Sequence, residues 1–374
     1  MKRILLFCVS LACTLYICAQ EDAAGRTYKE KRSSKEWPRI ARAETDGFFS
    51  TSEARRIGDN VLLYQYDNGG WAKNIYMPAE LTEAEKEELR RNKGYLEDTT
   101  IDNNATMTEI IFLARLYNAT GEKRYGEGVR RGVEYLLESQ YDNGGWPQFY
   151  PRNHGYYTHI TYNDNAMENV LRVLYDVSRG KKLYKFLPEE MRRRAAEAVD
   201  KGVDCILRTQ VVQGGVPTVW CAQHDEHTLL PAKARAYELE SLSGAESAGV
   251  VLFLMSMKER PSEAVVKAVD NAVEWFRKSM ITDLKRENFT DKDGRRDYRM
   301  VKNIREGVPC DTLWARFYTL EDNRPFFCDR DGVRKYDVSE IGYERRNHYS
   351  WYTDQPKKVL ARYEKWRKTV GGKD

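Results

Sequence analysis

Two polar clusters, each just ahead of an apolar segment, hold the residues of this chain that are best suited to chemistry. Residues 99–106 read Thr-Thr-Ile-Asp-Asn-Asn-Ala-Thr, and residues 161–167 read Thr-Tyr-Asn-Asp-Asn-Ala-Met. Asp and Asn are preferred helix N-caps, so each cluster would be explained if it only began a helix. One cap needs one such residue, however, whereas each cluster offers three.

The carboxylates Asp102 and Asp164, flanked by amides such as Asn103 at equivalent loop positions, allow two kinds of chemistry. Oxygen donors of this kind suit a hard cation such as Ca²⁺. A glycoside hydrolase with paired carboxylates would instead use one as the acid and the other as the base. The residues alone leave both interpretations open.

Two further clusters are basic. Lys233 and Arg235 follow Pro231, at the expected start of an apolar helix, where cations oppose the helix macrodipole. A chain that tolerates two cations there is interpreted as using them on an anion, with a solvated basic loop as the alternative. Arg316 and Arg330 stand among aromatic residues, an arrangement that suits planar, bidentate recognition of carboxylates.

The elements that must position these clusters are mostly helices. Apolar periodicity predicts helices over residues 52–65, 81–93, 105–120, 124–140, 187–210, 236–257, 261–281 and 359–369, and one after Asn163. The region 285–350 has only short apolar runs and predicts long loops with one short helix around 311–320. The fold class is therefore expected to be all-α dominated, with long C-terminal loops.

An internal repeat refines this fold class. The pattern Gln-x-x-x-Gly-Gly-Trp begins at Gln65 and again at Gln140, and a degenerate copy ending in Val216 begins at Gln210, at intervals of 75 and 70 residues. Each interval holds about two helices, which is the pattern of an α/α toroid with its loops gathered at one end. The Gln and Trp residues themselves are interpreted as staples between helix ends.

Length and composition bound the remaining possibilities. The 374 residues are enough for one large domain or two small ones, and 24 Tyr with 8 Trp suit a carbohydrate-active protein or simply an aromatic core. Residues 1–20 predict a secretory signal peptide, and hence a periplasmic or extracellular protein, with lipoprotein anchoring through Cys13 less favoured. Residues 21–44 would form a polar tail, and residues 45–374 one domain.

Charge and cysteine usage exclude several classes of function. Loss of residues 1–20 would take the net charge from +4 to +2, which gives no general case for binding nucleic acid. No segment after residue 20 is apolar enough to cross a bilayer, and the five histidines lack metal-ligand spacing. Four cysteines would remain (Cys205, Cys221, Cys310 and Cys328), and their wide spacing leaves disulfides and buried thiols equally open.

Taken together, these segments resemble the pectate lyases of polysaccharide lyase family ten. The matching segments are YQYDNGGWAKN, TIDNNAT, QYDNGGWPQFYP, YNDNAM, WCAQHD, PAKARAYE, SGAES, ARFY, RDG and YERRNHYSWY. They run in family order from about residue 45 to 355, and Ala72 is one departure, where the family pattern has Pro. The resemblance implies a helical, toroid-like fold for residues 45–374, with two lobes around a central cleft. It also implies a monomer that cleaves polygalacturonate by calcium-dependent β-elimination.

The resemblance also implies a role for each candidate residue. Asp164 would bind the Ca²⁺ that bridges to the substrate carboxylate, with Asp102 and Asn103 beside it, and Arg235 would be the base. Substrate carboxylates would be held by four cations: Lys73, Lys233, Arg316 and Arg330.

An arginine base is expected to need alkaline conditions, because its ordinary pKa exceeds 12. Crowding by Ca²⁺ and Lys233 is expected to disfavour the charged form of Arg235. Two alternatives remain at this stage: a toroidal glycoside hydrolase that uses Asp102 and Asp164 as acid and base, and an inactive uronan-binding surface protein.

Overall fold

The structure, a computed structural model, describes residues 28–302 and 310–371, with side chains from residue 36 onward. The expected signal peptide, residues 1–20, lies outside the described residues. Eleven helices are present in these ranges: α1 (Tyr28–Ala43), α2 (Ser52–Tyr64), α3 (Glu83–Arg91), α4 (Met107–Thr120), α5 (Lys123–Glu138), α6 (Ala166–Ser178), α7 (Glu189–Thr209), α8 (Gly244–Leu254), α9 (Glu263–Lys278), α10 (Tyr343–Asn347) and α11 (Pro356–Val370).

The helices form two layers. Helices α4, α6 and α8 lie side by side in an inner row, and each packs on the outer helix that follows it, α5, α7 or α9. The inner helix α8 is apolar or small nearly all round, whereas α5 buries only one face, through residues such as Tyr125, Val129 and Val133. This arrangement confirms the predicted helical α/α toroid.

Glutamine and tryptophan side chains fasten the layers together, as interpreted from the repeat. Gln140 Nε2 donates to Gly144 O in its own turn (3.0 Å) and to Ala198 O in the next outer helix (2.9 Å). Gln65 and Gln210 each make the corresponding pair of bonds. The indole nitrogens of Trp71, Trp146 and Trp220 donate to carbonyls of the preceding outer helix.

The third copy of the repeat differs from its sequence pattern. Its tryptophan is Trp220 rather than the residue at 216, because the short strands β2 (Val212–Gln213) and β3 (Val216–Pro217) are inserted first. In the first two copies glycine is required: a Cβ on Gly69 (φ 90°) or Gly144 (φ 91°) would lie about 2 Å from a backbone carbonyl oxygen of the neighbouring helix.

The strands outside the repeat are short and lie mostly in the C-terminal third. They are β1 (Ile160–Thr161), β4 (Gln223–His224), β5 (Leu242–Ser243), β6 (Leu284–Thr290), β7 (Arg296–Lys302), β8 (Trp314–Ala315), β9 (Phe317–Tyr318), β10 (Pro325–Cys328), β11 (Arg334–Lys335) and β12 (Tyr352–Thr353). One antiparallel sheet has the order β11-β10-β9-β5, and β6 and β7 form a separate hairpin. A second aromatic core, which includes Phe317, Phe326 and Trp351, lies under the sheet.

Three local expectations differ from the structure. The short helix expected around 311–320 is wrong, because this segment forms β8 and β9. Helix α8 begins at Gly244, whereas the sequence predicts a helix from 236. Within the segment expected as a tail, α1 packs on α4, and the buried Trp37 donates its indole hydrogen to Glu109 Oε1 (2.6 Å).

Two other properties follow from the described residues. None of their helices has the length and apolarity that a membrane crossing requires. The thiols of Cys205, Cys221, Cys310 and Cys328 are all free, and burial raises the pKa of Cys205 to about 12 and of Cys328 to about 11. The structure therefore contains buried thiols where the spacing also allowed disulfides.

Candidate active site

The two polar clusters form matching loops that open the inner helices α4 and α6. Asn103 and Asn104 both have left-handed backbone (φ 51° and 64°), and so do Asp164 and Asn165 (φ 53° and 58°). Consecutive left-handed residues are rare outside glycine and point to a constrained site. In this match Asp164 corresponds to Asn103 of the first loop, not to Asp102. The expectation that Asp102 and Asp164 occupy equivalent positions is therefore wrong by one residue.

The aspartate of the first loop, Asp102, forms an ion pair with Lys73. Asp102 is 4% exposed, and its Oδ2 accepts a hydrogen bond from Lys73 Nζ in an ion pair. Its Oδ1 accepts from the backbone nitrogen of Asn103 (3.0 Å). The Asn103 side chain is exposed and donates through Nδ2 to Asn74 Oδ1 (3.1 Å). Lys73, Asp102 and Asn103 thus lie together at this loop, and Lys73 is bound to the carboxylate of Asp102.

The second loop presents its aspartate to solvent. The Asp164 side chain is 48% exposed, and its Oδ1 lies 3.9 Å from Arg316 Nη2. Partial burial raises the pKa of Asp164, and the charges of Glu246 and Asp102 raise it further, while Arg316 and Arg235 oppose that shift. Because the two loops contact each other, Asp164 and Asn103 lie on neighbouring tips.

Arg316 is a buried cation beside Asp164. Its Nη2 donates to Glu246 Oε1 (2.9 Å) and to Asn163 Oδ1 (3.0 Å), and its guanidinium lies 4.6 Å from the centroid of the Tyr349 ring. Burial lowers the pKa of Arg316, but the charges of Glu246 and the other acidic groups around it together outweigh burial, and the net shift is upward. The residue therefore remains a fixed cation.

Arg235 is held by a carboxylate that the sequence did not identify. Its Nε donates to Glu238 Oε2 (2.7 Å) and its Nη2 donates to Glu238 Oε1, which also accepts from the Tyr349 hydroxyl (2.7 Å). Burial lowers the pKa of Arg235, but the hydrogen bonds and charge of Glu238 outweigh it, so the net shift is upward. Glu238 therefore favours the charged form of Arg235 in this arrangement.

A pair of tyrosines brings the arginines together. Tyr237 and Tyr349 pack edge to face with their ring centroids 5.3 Å apart. Four guanidinium groups lie within 6 Å of one or both rings, those of Arg235, Arg316, Arg330 and Arg345. Arg330 and Arg345 also share the carboxylate of Glu344. Both tyrosines lie in segments that carry the family resemblance, PAKARAYE and YERRNHYSWY, and this is the signal in the sequence that could have identified them.

Lys233 is the one predicted site residue that no contact connects to the others. It is exposed in the irregular segment before β5, and no hydrogen bond or ion pair of its side chain is present among the described residues. The helix-dipole argument for Lys233 and Arg235 does not apply, because α8 begins eight or more residues later.

A cavity of about 580 Å³, here called the inner cavity, opens beside Asp164 and Arg316. The C-terminal segment supplies its other wall, through residues that include Ser350, Asp354 and Lys357. The site is therefore built from the helix-opening loops on one side and the last third of the chain on the other.

Another group of possible ligand atoms lies outside this cavity. His159, Asp225 and Glu226 place one donor atom each within 4.8 Å of one another, although His159 is far from the other two in the sequence. His159 Nδ1 is hydrogen-bonded to Glu226 (3.0 Å), and Asp225 Oδ1 accepts three hydrogen bonds from residues 227 and 228. These possible metal ligands already form hydrogen bonds within the protein.

Comparison with known proteins identifies the class to which this fold and site belong. The structure is similar to a family 10 polysaccharide lyase from Cellvibrio cellulosa, with 36% sequence identity over 91% of this chain and 97% of that one, and a TM-score of 0.72. It is equally similar to a mutant of that lyase in complex with trigalacturonic acid (36% identity, 89% and 96% covered, TM-score 0.72). No curated protein sequence matches.

The molecule is thus a polysaccharide lyase. The model of the pectic acid lyase family matches residues 65–360, and the chain belongs to that family. The glycoside hydrolase alternative has no support from these relatives.

The donor set at the loop tips fits a calcium ion. Asp164 offers a carboxylate and Asn103 an amide oxygen, both exposed on adjacent loops, and Ca²⁺ prefers such oxygen ligands. Asp102 fits less directly, because its carboxylate is already paired with Lys73.

Proposed function

We propose that this protein is an exported pectate lyase that cleaves polygalacturonate by calcium-dependent β-elimination and releases 4,5-unsaturated oligogalacturonides. The observation that carries the proposal is the gathering of Arg235, Arg316 and Arg330 around one tyrosine pair, beside the exposed Asp164. Such a concentration of guanidinium groups suits a polymer with one carboxylate on every sugar. Export rests on residues 1–20 and is part of the proposal, as is a monomeric state.

The fixed cations would act on the charge that builds up during elimination. Removal of the C5 proton of a uronate creates negative charge next to the sugar's own carboxylate. Arg316 and Arg330 would bind that carboxylate, and their charge would stabilise the developing anion. Lys73 and Lys233 are proposed to hold neighbouring uronates. Ca²⁺ bound by Asp164 and Asn103, with Asp102 beside them, would add Lewis-acid stabilisation of the same charge.

Arg235 is proposed as the base, and its geometry indicates which atom would act. Glu238 occupies Nε and Nη2, and Nη1 makes no hydrogen bond with the described residues. In the neutral side chain, Nη1 would accept the C5 proton. The C4–O bond then breaks, its electron pair leaves with the oxygen, and a C4=C5 double bond forms. Because Glu238 raises the pKa of Arg235, activity should rise steeply in alkaline solution.

The test is ultraviolet absorbance of polygalacturonate incubated with the protein at alkaline pH, with added Ca²⁺ or with a chelator. We expect an increase that requires Ca²⁺, and its loss in the Arg235→Ala variant. Arg277→Ala removes the same charge on α9, where Arg277 pairs with Glu364, and should leave the rate unchanged. New reducing ends without any increase in absorbance would indicate hydrolysis, and an increase that survives the chelator would contradict the calcium site.

A further inference from the structure

Three cavities adjoin one another from the candidate active site to the β6–β7 hairpin. The inner cavity shares Asp311, Leu313, Ser350 and Tyr352 with a middle cavity of about 500 Å³. The middle cavity in turn shares Arg286 and Asn347 with an outer cavity of about 480 Å³ on the hairpin. The row therefore extends the candidate active site along the surface of the molecule.

The register of the hairpin determines which side chains face this row. Arg286 pairs with Met300, Asn288 with Tyr298, and Thr290 with Arg296. Successive side chains of a strand point to opposite faces, so Arg286, Asn288, Thr290 and Arg296 share one face, and Glu287 and Arg299 belong to the other. These four residues line the outer cavity together with Phe289 and Asp297, and the carboxylate of Asp297 is paired with Arg346.

The two arginines of that face lack carboxylate partners among the described residues. Arg286 lies over the Tyr298 ring at 3.8 Å, donates through Nε to Asn288 Oδ1 (3.1 Å), and is exposed, as is Arg296. Arg299, by contrast, pairs with Glu287 across the strands (3.1 Å), and Arg295 pairs with Asp291 and Asp293. Arg286 and Arg296, on the face that lines the row, thus lack the carboxylate partners that Arg295 and Arg299 have.

We propose that this hairpin face binds the polyuronate chain where it continues beyond the active site, so that Arg286 and Arg296 form distal carboxylate subsites. The proposal rests on the proposed function for the class of polymer. Asp311 and Asp354 oppose a uronate in the inner cavity, and only Arg316 and Lys357 favour it there. The hairpin supplies the additional attraction that a long anionic chain needs to remain in register.

The expected size of the effect follows from exposure. A solvent-exposed guanidinium–carboxylate pair changes affinity about two- to fivefold, so removal of both arginines should weaken binding of a long chain roughly five- to twentyfold. The effect should decrease at high salt, because exposed charges are screened. Trigalacturonate is the comparison substrate, because a chain of three sugars extends less far along the row than the polymer does.

The experiment compares kcat/KM on long polygalacturonate and on trigalacturonate for wild type, Arg286→Ala/Arg296→Ala and Arg299→Ala. The double variant should lose roughly five- to twentyfold on the polymer, through KM, and clearly less on the trimer. Arg299→Ala removes the same charge from the opposite face and should match wild type on both substrates. An equal loss on both substrates, or no loss on the polymer, would overturn the inference.

Binding without turnover separates this inference from the proposed function. Affinity electrophoresis through gels that contain polygalacturonate should show weaker retardation of the double variant than of Arg299→Ala, even if wild type generates no unsaturated product. Equal retardation of the two variants would contradict the distal subsites whatever the activity. Single-stranded DNA that displaces polygalacturonate at equal charge concentration would overturn the assignment to a uronate polymer.

Discussion

At the scale of single residues, the contact that most affects the proposed chemistry is the one between Arg235 and Glu238. The carboxylate orients the guanidinium through two hydrogen bonds, yet it also stabilises the charged form that cannot accept a proton. Glu238 is itself fixed by the Tyr349 hydroxyl. It is thus a positioning residue and, if Arg235 is the base as proposed, it would set the pH at which Arg235 loses its proton.

Glu238→Gln is expected to move the alkaline limb of the pH–rate profile to lower pH. The amide can still accept one hydrogen bond from Arg235 but no longer carries the charge that raises its pKa. The rate at pH 8, divided by the plateau rate, should therefore increase, although the plateau itself decreases because the guanidinium is less well oriented. Rates measured on polygalacturonate from pH 7 up to the pH at which each protein reaches its plateau check this.

The control for this prediction makes the same substitution at an exposed pair. Glu287→Gln removes the ion pair with Arg299, on the face of the hairpin opposite Arg286 and Arg296, and should not shift the pH–rate profile. A Glu238→Gln profile that coincides with wild type after normalisation would mean that Arg235 is not the titrating base.

The sequence predicted the cationic residues of the site but not their partners. Arg235, Arg316 and Asp164 lie in short, distinctive segments and could be named directly. Glu238 and Glu246 could not, because a glutamate in a helical or loop pattern is usually a solvated residue. Their roles depend on chain segments that meet only in the fold, such as Glu246 with Arg316, 70 residues apart.

At the scale of elements, a close contact between α8 and the second loop controls the position of Asp164. A Cβ placed on Gly249 would lie 1.9 Å from Asn165 Oδ1 and 3.0 Å from Glu168 Oε1. Asn165 follows Asp164 directly and has left-handed backbone, so the loop has little freedom to move aside.

Gly249→Ala should therefore reduce activity far more than stability. Overpacking costs about 1–3 kcal/mol, and the better helix propensity of alanine offsets about 1 kcal/mol of that. Displacement of a catalytic loop by about 1 Å can reduce the rate on the order of 100-fold. The check is to measure kcat and, on the same protein, the urea concentration at the midpoint of unfolding.

Gly47→Ala is the matched control. Gly47 has φ −61°, and the nearest heavy atom to its built Cβ is 4.0 Å away, so neither quantity should change appreciably. A Gly249→Ala protein that retains wild-type kcat would show that the loop is not constrained through this contact.

Helical elements were more predictable than the strands for a physical reason. The outer helices have a clear one-face periodicity, and their Gln and Trp staples recur at fixed intervals. Residues 314–318 form a short apolar run, which periodicity alone cannot assign to helix or strand. The run becomes β8 and β9 because β12 and the β5 and β10 strands provide backbone partners from distant segments.

At the scale of the whole molecule, the three inner helices share an unusual feature: the third residue of each is a buried glutamate. Glu246 pairs with Arg316 and Glu109 accepts from Trp37, whereas neither carboxylate oxygen of Glu168 has a hydrogen-bond partner in the described part of the protein. Burial raises the pKa of Glu109 to about 7 and raises that of Glu168 well above its ordinary value. Both groups favour the neutral form in the folded state.

These carboxyls should make the fold less stable in alkaline solution, where the proposed chemistry is fastest. The pKa of Glu109 is about 7 in the folded state against an ordinary value of 4.5, so the unfolded chain loses this proton first as the pH rises. Folding stability therefore falls between pH 4.5 and 7, by at most about 3 kcal/mol for this group. Below pH 4.5 both states are protonated and there is no penalty.

Glu109→Gln removes this titration and keeps an acceptor oxygen for Trp37. The free energy of unfolding of the variant relative to wild type should increase from pH 5 to about pH 7 and then level off, because only wild type has a carboxyl that ionises more easily in the unfolded chain than in the folded state. Urea unfolding at a series of pH values measures this difference in unfolding free energy. The contribution of Glu168 cancels in the difference, because both proteins retain it. Glu197→Gln, at an exposed site paired with Arg193, should give a difference that does not vary with pH. Parallel curves for Glu109→Gln and wild type would contradict a raised pKa at Glu109.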